Sequence, residues 1–336
     1  MARILVIGGS RYMGLRLVWN LLAQGHAVTT LNRGLHPDPF GSRIARLHAD
    51  RRSPRFRALL DGTSFDAAVD LQTFRRSDAE DALEALKGRV GHYILISSGQ
   101  VYLVREGMNA PARDPVAEDG YQGQVMAEPD GAKDRSEWLY GVGKREAEDT
   151  LLAAFHADGF PYTALRLPMV DGERDPSRRL ESYLWRILDG GPVLLPSGGD
   201  GPVRHVYSGD VALAISRLLG DPKTFGEAYN LCQDEMPTLR EFVALCAATL
   251  DAKANIVPVE RKELEAAGIR PEAVSPFSTP WMSLLDPGKA KRDLSFRHQP
   301  LEAYLGRIVG EFLSRESLEP PENYGLRERE LALVRG

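Results

Sequence analysis

Residues 1–14 read MARILVIGGSRYMG. Residues 3–7 are a short run of branched apolar residues, which predicts a strand buried on both faces. The segment LRLVWNLLAQG follows, with apolar residues at helical spacing up to Gly25. A strand, a glycine turn and a helix in this order bring backbone N–H groups and a helix N-terminus to a pyrophosphate. The alternative is a tight turn that binds no ligand.

The turn and the end of the second strand bear on which dinucleotide binds. We expect the turn to contact the cofactor through Gly8, Gly9, Ser10, Arg11, Tyr12, Met13 and Gly14. An acidic residue after the second strand would mark NAD, whereas an arginine favours the extra phosphate of NADP. That strand ends at Asn32 and Arg33, and Arg11 stands where a third glycine is expected. We therefore favour NADP, with Arg11 and Arg33 binding its extra phosphate as a clamp. The alternative is that Arg33 only faces solvent.

Apolar runs alternate with helical patterns along the first half of the chain. Further strands are predicted at residues 27–31, 44–48, 65–71, 92–97 and 162–167, and helices at 77–86, with Ser77 as N-cap, and 138–155. This alternation predicts a doubly wound parallel sheet of the Rossmann type, an α/β fold. Residues 102–137 have no sustained period and are predicted to form a long loop or lid.

The character of the sequence changes after residue 167. Loops rich in Gly, Pro, Asp and Arg alternate with predicted helices at 180–188, 210–219, 239–250 and 301–313. We predict a dinucleotide-binding domain over 1–167 and a smaller mixed α/β substrate lobe over 168–336. Segments near 203–231 are expected to return to the first domain, with 228–231 as a strand of its sheet.

Composition excludes several classes of protein. A net charge of -5 gives no electrostatic footprint for nucleic acid, and we expect Arg51, Arg52, Arg55 and Arg57 to be solvated. Two cysteines cannot form a disulfide framework or a zinc site, so no metal is expected, and Cys246 is predicted to lie in the core. No run reaches membrane-spanning length, and the first apolar run is too short for a signal peptide. We expect a cytoplasmic protein without a membrane partner.

Three residues form a candidate catalytic set. Ser98 follows the predicted strand 92–97, at the sheet edge where ligands bind. Tyr140 and Lys144 are four residues apart and therefore share one helix face. The alternatives are a strand-end cap for Ser98 and an ordinary surface pair for Tyr140 and Lys144.

Several motifs together resemble the extended short-chain dehydrogenase/reductases, the NAD-dependent epimerase/dehydratase family. They are GGSRYMG (8–14), SSGQVY (97–102), YGVGK (140–144), LRLPMVDG (165–172), VRHVYSGDVALAI (203–215), YNL (229–231) and KAKRDLSF (289–296). The resemblance covers most of the chain and includes an atypical branch of the family with some members associated with RNA.

The resemblance implies a mechanism. Tyr140 would exchange a proton with a substrate hydroxyl, Lys144 would lower the pKa of Tyr140 and bind the nicotinamide ribose, and Ser98 would polarise the substrate oxygen. By their positions in the family pattern, Asp50, Arg51, Leu71, Gln72 and Pro168 are further candidate cofactor contacts.

The chain also departs from the family pattern. Gly99 and Gln100 stand where sugar dehydratases carry an acidic pair, which speaks against a 4,6-dehydratase. Met169 replaces an asparagine that is common in UDP-sugar enzymes. As substrate contacts we nominate Gln100, Tyr102 and Arg204.

The expected function is therefore NAD(P)-dependent oxidation or epimerisation of a secondary alcohol in a sugar or nucleotide sugar. Two alternatives stay open: an NADPH-dependent carbonyl reductase, and a non-catalytic dinucleotide-binding or RNA-associated regulator. The net charge makes a nucleic-acid partner the less favoured of these readings. The family resemblance implies a homodimer.

Overall fold

Seven parallel strands form the central sheet in a computed structural model, which describes residues 1–108 and 114–335. Counting two smaller sheets as well, the described residues form eleven strands: β1 Arg3–Ile7, β2 Ala27–Asn32, β3 Ala45–His48, β4 Ala67–Asp70, β5 Tyr93–Ser98, β6 Tyr162–Leu167, β7 Met169–Asp171, β8 Pro192–Pro196, β9 His205–Tyr207, β10 Glu227–Asn230 and β11 Asn255–Val259. The order across the central sheet is β10-β6-β5-β4-β1-β2-β3. Strand order reverses between β1 and β4, and ligands bind at such a switch point in open α/β sheets.

Helices cover both faces of this sheet. The helices of the described residues, including those of the second half of the chain, are α1 Tyr12–Ala23, α2 Pro54–Leu60, α3 Arg76–Leu86, α4 Gln100–Leu103, α5 Ala132–Asp158, α6 Arg179–Leu188, α7 Ser208–Leu218, α8 Leu239–Thr249, α9 Arg261–Ala266, α10 Pro271–Val274, α11 Gly288–Asp293, α12 Leu301–Leu313 and α13 Arg327–Arg335. The apolar sides of α1 and α7 pack in one core layer, and those of α2, α3 and α5 pack in the layer on the other face. This is the predicted doubly wound Rossmann-type arrangement.

The second half of the chain adds a smaller mixed α/β lobe. Its two small parallel sheets pair β8 with β11 and β7 with β9, and its core is built from α6, α8 and α12. Cys246 is fully buried there, as predicted. The strand predicted at 228–231 is present as β10, which pairs with β6 in the central sheet. None of the helices in the described residues is long and apolar enough to cross a membrane.

Three local predictions are wrong. Helix α5 begins at Ala132 rather than at residue 138, so the loop is shorter than expected; its residues 109–113 lie outside the described part of the chain. Ser77 is not an N-cap, because α3 already begins at Arg76. Arg51 is buried rather than solvated, because its guanidinium is paired with the carboxylate of Asp70.

Candidate active site

A groove of about 360 Å³ opens beyond the carboxyl end of β1. The candidate cofactor residues that line it are Gly8, Gly9, Ser10, Arg11, Asn32, Arg33, Asp50, Arg51 and Gln72. They come from the turn after β1 and from the ends of β2, β3 and β4, which the parallel register brings to one edge. Residues that were predicted at the ends of separate strands therefore lie together in this groove, at the switch point of the sheet.

The shape of the turn explains its glycines and its arginine. Gly8 and Gly9 have φ values of +110° and +94°, a backbone conformation that residues other than glycine rarely adopt. Arg11 has an extended backbone (φ -144°), so this position needs no glycine. The irregular arginine is accommodated by ordinary backbone geometry, and its side chain lines the groove.

Gly14 lets α1 approach the turn closely. A Cβ at this position would lie 2.8 Å from the Gly9 Cα and 2.8 Å from the Leu71 Cδ1. The groove is lined at Gly8 and Gly9 by residues without side chains, with α1 packed directly behind the turn, a cradle that suits a pyrophosphate. The structure thus fits a dinucleotide, held at the turn by backbone N–H groups.

We expect Gly14→Ala to lower the free energy of unfolding by about 1–3 kcal/mol, because the added methyl group must displace the turn. Dinucleotide affinity should fall with it. Gly306→Ala is the matched control, because a Cβ there, in α12, meets no atom within 4 Å. Denaturant unfolding and calorimetric titration measure both effects; equal stability of the two variants would contradict the close approach.

Charges around the outer part of the groove are mainly positive. Asn32, at the end of β2, donates from Nδ2 to the Ser10 Oγ (2.9 Å) and accepts the Gly34 N–H at Oδ1 (2.8 Å). An amide thus stands where an NAD-specific carboxylate is expected. Arg11 contacts His36 (3.1 Å, Nη1 to Nε2), and Arg33 is exposed at the rim.

A second pocket, of about 690 Å³, lies beyond the end of β5. Ser98, Gln100, Tyr140, Pro168 and Tyr12 line it, so β5, α5 and the segment after β6 meet here. Two of the three candidate catalytic residues therefore face one pocket. Lys144, one helical turn after Tyr140, is buried, with its Nζ 5.9 Å from the centre of the Tyr140 ring.

The protonation of Tyr140 differs from the expectation. Burial raises the pKa of its phenol, and the Ser98 hydroxyl counteracts this shift. Lys144 donates instead to the carbonyls of Thr73 (2.5 Å) and Ile96 (2.7 Å). Burial lowers the pKa of Lys144 to about 8. The pKa of Tyr140 is therefore raised in these surroundings, and the effect of Lys144 on it stays a prediction.

Asp70, at the end of β4, connects the two regions. Its fully buried carboxylate pairs with Arg51 and accepts hydrogen bonds from the Tyr93 hydroxyl (2.6 Å) and the Gln72 N–H (2.8 Å). Its charge opposes the lowering of the Lys144 pKa by burial. Arg51, a candidate adenine contact, is thus tied to Asp70 beneath the groove.

Some candidates occupy other positions. Tyr102 is buried; its hydroxyl donates to Asn230 (2.7 Å) and accepts from Arg166 (2.8 Å). Arg204 is also buried and donates to the carbonyls of Gln233 (2.8 Å), Leu285 (2.6 Å) and Asp234 (3.1 Å). Both predicted substrate contacts are corrected, because these partners hold the side chains away from the pocket.

Two of the cofactor candidates also contact the protein interior. Met13 packs against the core layer of α1 and α7. The Leu71 side chain fits against the turn, 3.3 Å from where a Cβ of Gly8 would lie. Both shape the turn rather than line the groove.

The pocket contains residues that the sequence analysis did not nominate. They are Lys133, Ser136, Glu137, Met169, Val170, Arg179, Glu272, Pro276, Thr279, Trp281, Met282 and Ser283. Glu137 was missed because the helix was predicted to start at 138. It lies three residues before Tyr140 and therefore shares a helix face with this candidate catalytic residue. The residues after 270 carry no local signal, because only the tertiary fold brings them here.

The family model for the NAD dependent epimerase/dehydratase family matches residues 4–232. The chain belongs to this family. It is accordingly an enzyme of the extended short-chain dehydrogenase/reductase type that binds an NAD(P) dinucleotide. The match runs from β1 past β10, and so includes the groove, Ser98, Tyr140 and Lys144.

Two curated proteins and one solved structure illustrate the likeness. The chain is 27% identical over 259 residues to the chloroplast stem-loop binding protein of 41 kDa b from Arabidopsis thaliana, covering 73% of this chain and 62% of that protein. It is 29% identical over 265 residues to the 2'-dehydrokanamycin reductase of Streptomyces kanamyceticus, covering 76% and 69%. A dTDP-glucose 4,6-dehydratase from Bacillus anthracis, solved with NAD, superposes with a TM-score of 0.71 at 15% identity, covering 94% and 98%; this likeness concerns the fold.

Proposed function

We propose that this enzyme interconverts a secondary alcohol and a ketone in a sugar or nucleotide sugar, using NADP(H). The observation that carries the proposal is the convergence of Ser98 and Tyr140 on one pocket, with Lys144 buried beside them. The groove at the turn lies on the same edge of the sheet. The division into a dinucleotide-binding domain (1–167) and a substrate lobe (168–336) is part of this proposal, as is a homodimer.

Each catalytic side chain has a separate task in the proposed reaction. The bound dinucleotide supplies the hydride acceptor or donor. The Ser98 hydroxyl holds the substrate oxygen and orients it toward Tyr140. The Tyr140 phenol transfers the proton that accompanies hydride movement. Lys144, anchored to the carbonyls of Thr73 and Ile96, fixes the loop after β4 and places a positive charge beneath the site.

The protonation of Tyr140 favours ketone reduction as the direction. Because burial raises its pKa, the phenol is protonated at neutral pH and ready to donate to a carbonyl oxygen. A relative named as 2'-dehydrokanamycin reductase supports this direction. Epimerisation is the second candidate, supported by the fold shared with nucleotide-sugar enzymes.

Turnover of NADPH and of NADP+ tests the proposal. The enzyme should oxidise or reduce members of a panel of sugars, nucleotide sugars and their keto derivatives, with stoichiometric change in the dinucleotide. An epimerase would instead convert the substrate without net change in the dinucleotide. Chromatography of the sugar products separates these outcomes, and the absence of both reactions across the panel would contradict the proposal.

The preference for NADP rests on Arg33 and Arg11. We expect Arg33→Ala to weaken NADP binding about tenfold, because a charge-assisted contact to the extra phosphate is lost. Binding of NAD should hardly change. Arg55→Ala is the control, because Arg55 is exposed on α2 outside the groove. Calorimetric titration of both dinucleotides measures this, and wild-type enzyme that binds NAD more tightly would overturn the clamp.

A further inference from the structure

The carboxylate of Glu137 faces the substrate pocket beside the catalytic tyrosine. Glu137 and Tyr140 are three residues apart on α5, so their Cβ atoms are separated by about 5–6 Å on one helix face. The Gln100 side-chain amide donates to the Glu137 Oε2 and so orients the carboxylate. Gln100 is buried, which fixes the geometry of this contact.

The other charged groups in the pocket already have partners. Lys133 forms an ion pair with Glu272, which also pairs with Arg261. Arg179 pairs with Asp175 at 3.0 Å. Among the charged side chains that line the pocket, and within residues 1–108 and 114–335, only Glu137 has no oppositely charged side chain within 4.0 Å.

We infer that the substrate carries a protonated amine near its reacting carbon, and that Glu137 is the residue that selects this amine. The inference rests on the proposed function, because the reacting oxygen must lie between Ser98 and Tyr140. From there, the spacing along α5 places Glu137 within reach of a substituent one or two carbons away. A carboxylate in a half-enclosed pocket gains most from a charged donor, and a hydroxyl group offers only a neutral one.

The same charges disfavour a sugar diphosphate as the substrate. A diphosphate needs unpaired cations, but Lys133 and Arg179 are held by Glu272 and Asp175. Arg204, one of the nominated substrate contacts, donates to backbone carbonyls instead. The pocket thus has a free negative group where a nucleotide sugar would bring further negative charge.

An amine at Glu137 also assists the reaction in the direction of alcohol oxidation, the reverse of ketone reduction. The Glu137 carboxylate raises the pKa of Tyr140, because a second negative charge nearby disfavours the phenolate. A bound ammonium group neutralises this effect, so an amine-bearing substrate would make proton transfer from its own hydroxyl easier than a neutral substrate does.

Matched small probes test the inference with the intact enzyme and NADP+. We would compare 2- and 3-aminocyclohexanol with cyclohexane-1,2-diol and cyclohexane-1,3-diol, which differ only in the amine. The wild-type kcat/KM should favour the amines by about tenfold or more, as expected for a charge-assisted hydrogen bond. In Glu137→Gln, which keeps the bond from Gln100, this ratio should fall close to one. Glu146→Gln, on α5 outside the pocket, should keep the wild-type ratio.

The outcomes separate this inference from the proposed function. Equal kcat/KM values for amines and diols in the wild type, or an unchanged ratio in Glu137→Gln, would overturn the inference. So would oxidation of UDP-glucose but not of any amine, and in that case the proposed oxidoreductase function would stand. Failure of every alcohol, sugar and nucleotide sugar to react would instead remove the proposed function and the inference with it.

Discussion

Tyr140→Phe should reduce the turnover of NADP(H) about 10²- to 10⁴-fold, the usual contribution of a positioned proton-transfer group. The substitution removes only the hydroxyl that faces Ser98 in the pocket. The ring stays, so its packing beside Phe74 (6.3 Å between ring centres) and its position near Lys144 are preserved. Dinucleotide affinity should therefore change by no more than about twofold.

Two measurements are needed to assign this loss to chemistry. Steady-state kinetics give kcat and kcat/KM, and calorimetric titration gives the affinity for NADP(H). Tyr324→Phe is a suitable control, because the Tyr324 hydroxyl also donates to an acceptor, Asp189 (2.7 Å), but lies outside the pocket. Retention of more than about a tenth of wild-type activity in Tyr140→Phe would contradict the assigned role.

The fold could be predicted because the central strands β1, β4 and β5 are buried on both faces and are therefore mainly apolar. The bounds of β6 (Tyr162–Leu167) and α12 (Leu301–Leu313) agree with the prediction to the residue. Both segments owe their structure to local pattern, a largely apolar run that includes Thr163 and Arg166 in β6, and helical spacing in α12. The groove could be predicted as well, because parallel strands place their carboxyl ends at one edge of the sheet.

The start of α5 could not be predicted, because it depends on tertiary contacts rather than on a local sequence pattern. Its first turn, AKDRSE, is polar, and the helix there is stabilised by tertiary contacts. Lys133 pairs with Glu272, and Asp134 accepts the indole N–H of Trp281 (2.8 Å). These partners lie more than 130 residues further along the chain, so no local pattern reports them. Glu137, which lines the pocket and has no cationic partner among the described residues, was missed with this segment.

The positions of two buried arginines were predicted wrongly, because the sequence does not show which distant residues will pair with a charged side chain. Arg51 belongs to a run of arginines that looks solvated, yet it is only 8% exposed and faces Asp70. Arg204 was nominated for an anion but binds backbone carbonyls. In both residues a long side chain meets acceptors that become adjacent only when the sheet and the second lobe have formed.

Asp70→Asn should lower the free energy of unfolding by about 3 kcal/mol or more, because it leaves the buried Arg51 guanidinium without its counter-charge. Asp81→Asn removes the same charge from the surface of α3 and should cost less than about 1 kcal/mol. Denaturant unfolding at about pH 7 compares the two. Adding Arg51→Met to Asp70→Asn should recover stability, because the unpaired cation is then removed.

The same substitution should change the pH dependence of the enzyme. Lys144 has a pKa of about 8 in the folded protein, against an ordinary value of 10.5. The folded state therefore loses this proton first, and stability rises as the pH increases from about 8 to 10.5. Asp70 favours the charged form of Lys144, so Asp70→Asn should lower this pKa further and extend the window to lower pH.

The pH dependence of the activity should show the same shift in the Lys144 pKa. If the reaction needs charged Lys144, the alkaline limb of the kcat/KM profile should begin near pH 8 in the wild type and at lower pH in Asp70→Asn. Asp81→Asn should keep the wild-type limb, because Asp81 is not among the groups that act on Lys144. An unchanged limb in a folded Asp70→Asn variant would show that Asp70 supports the structure but not the protonation of Lys144.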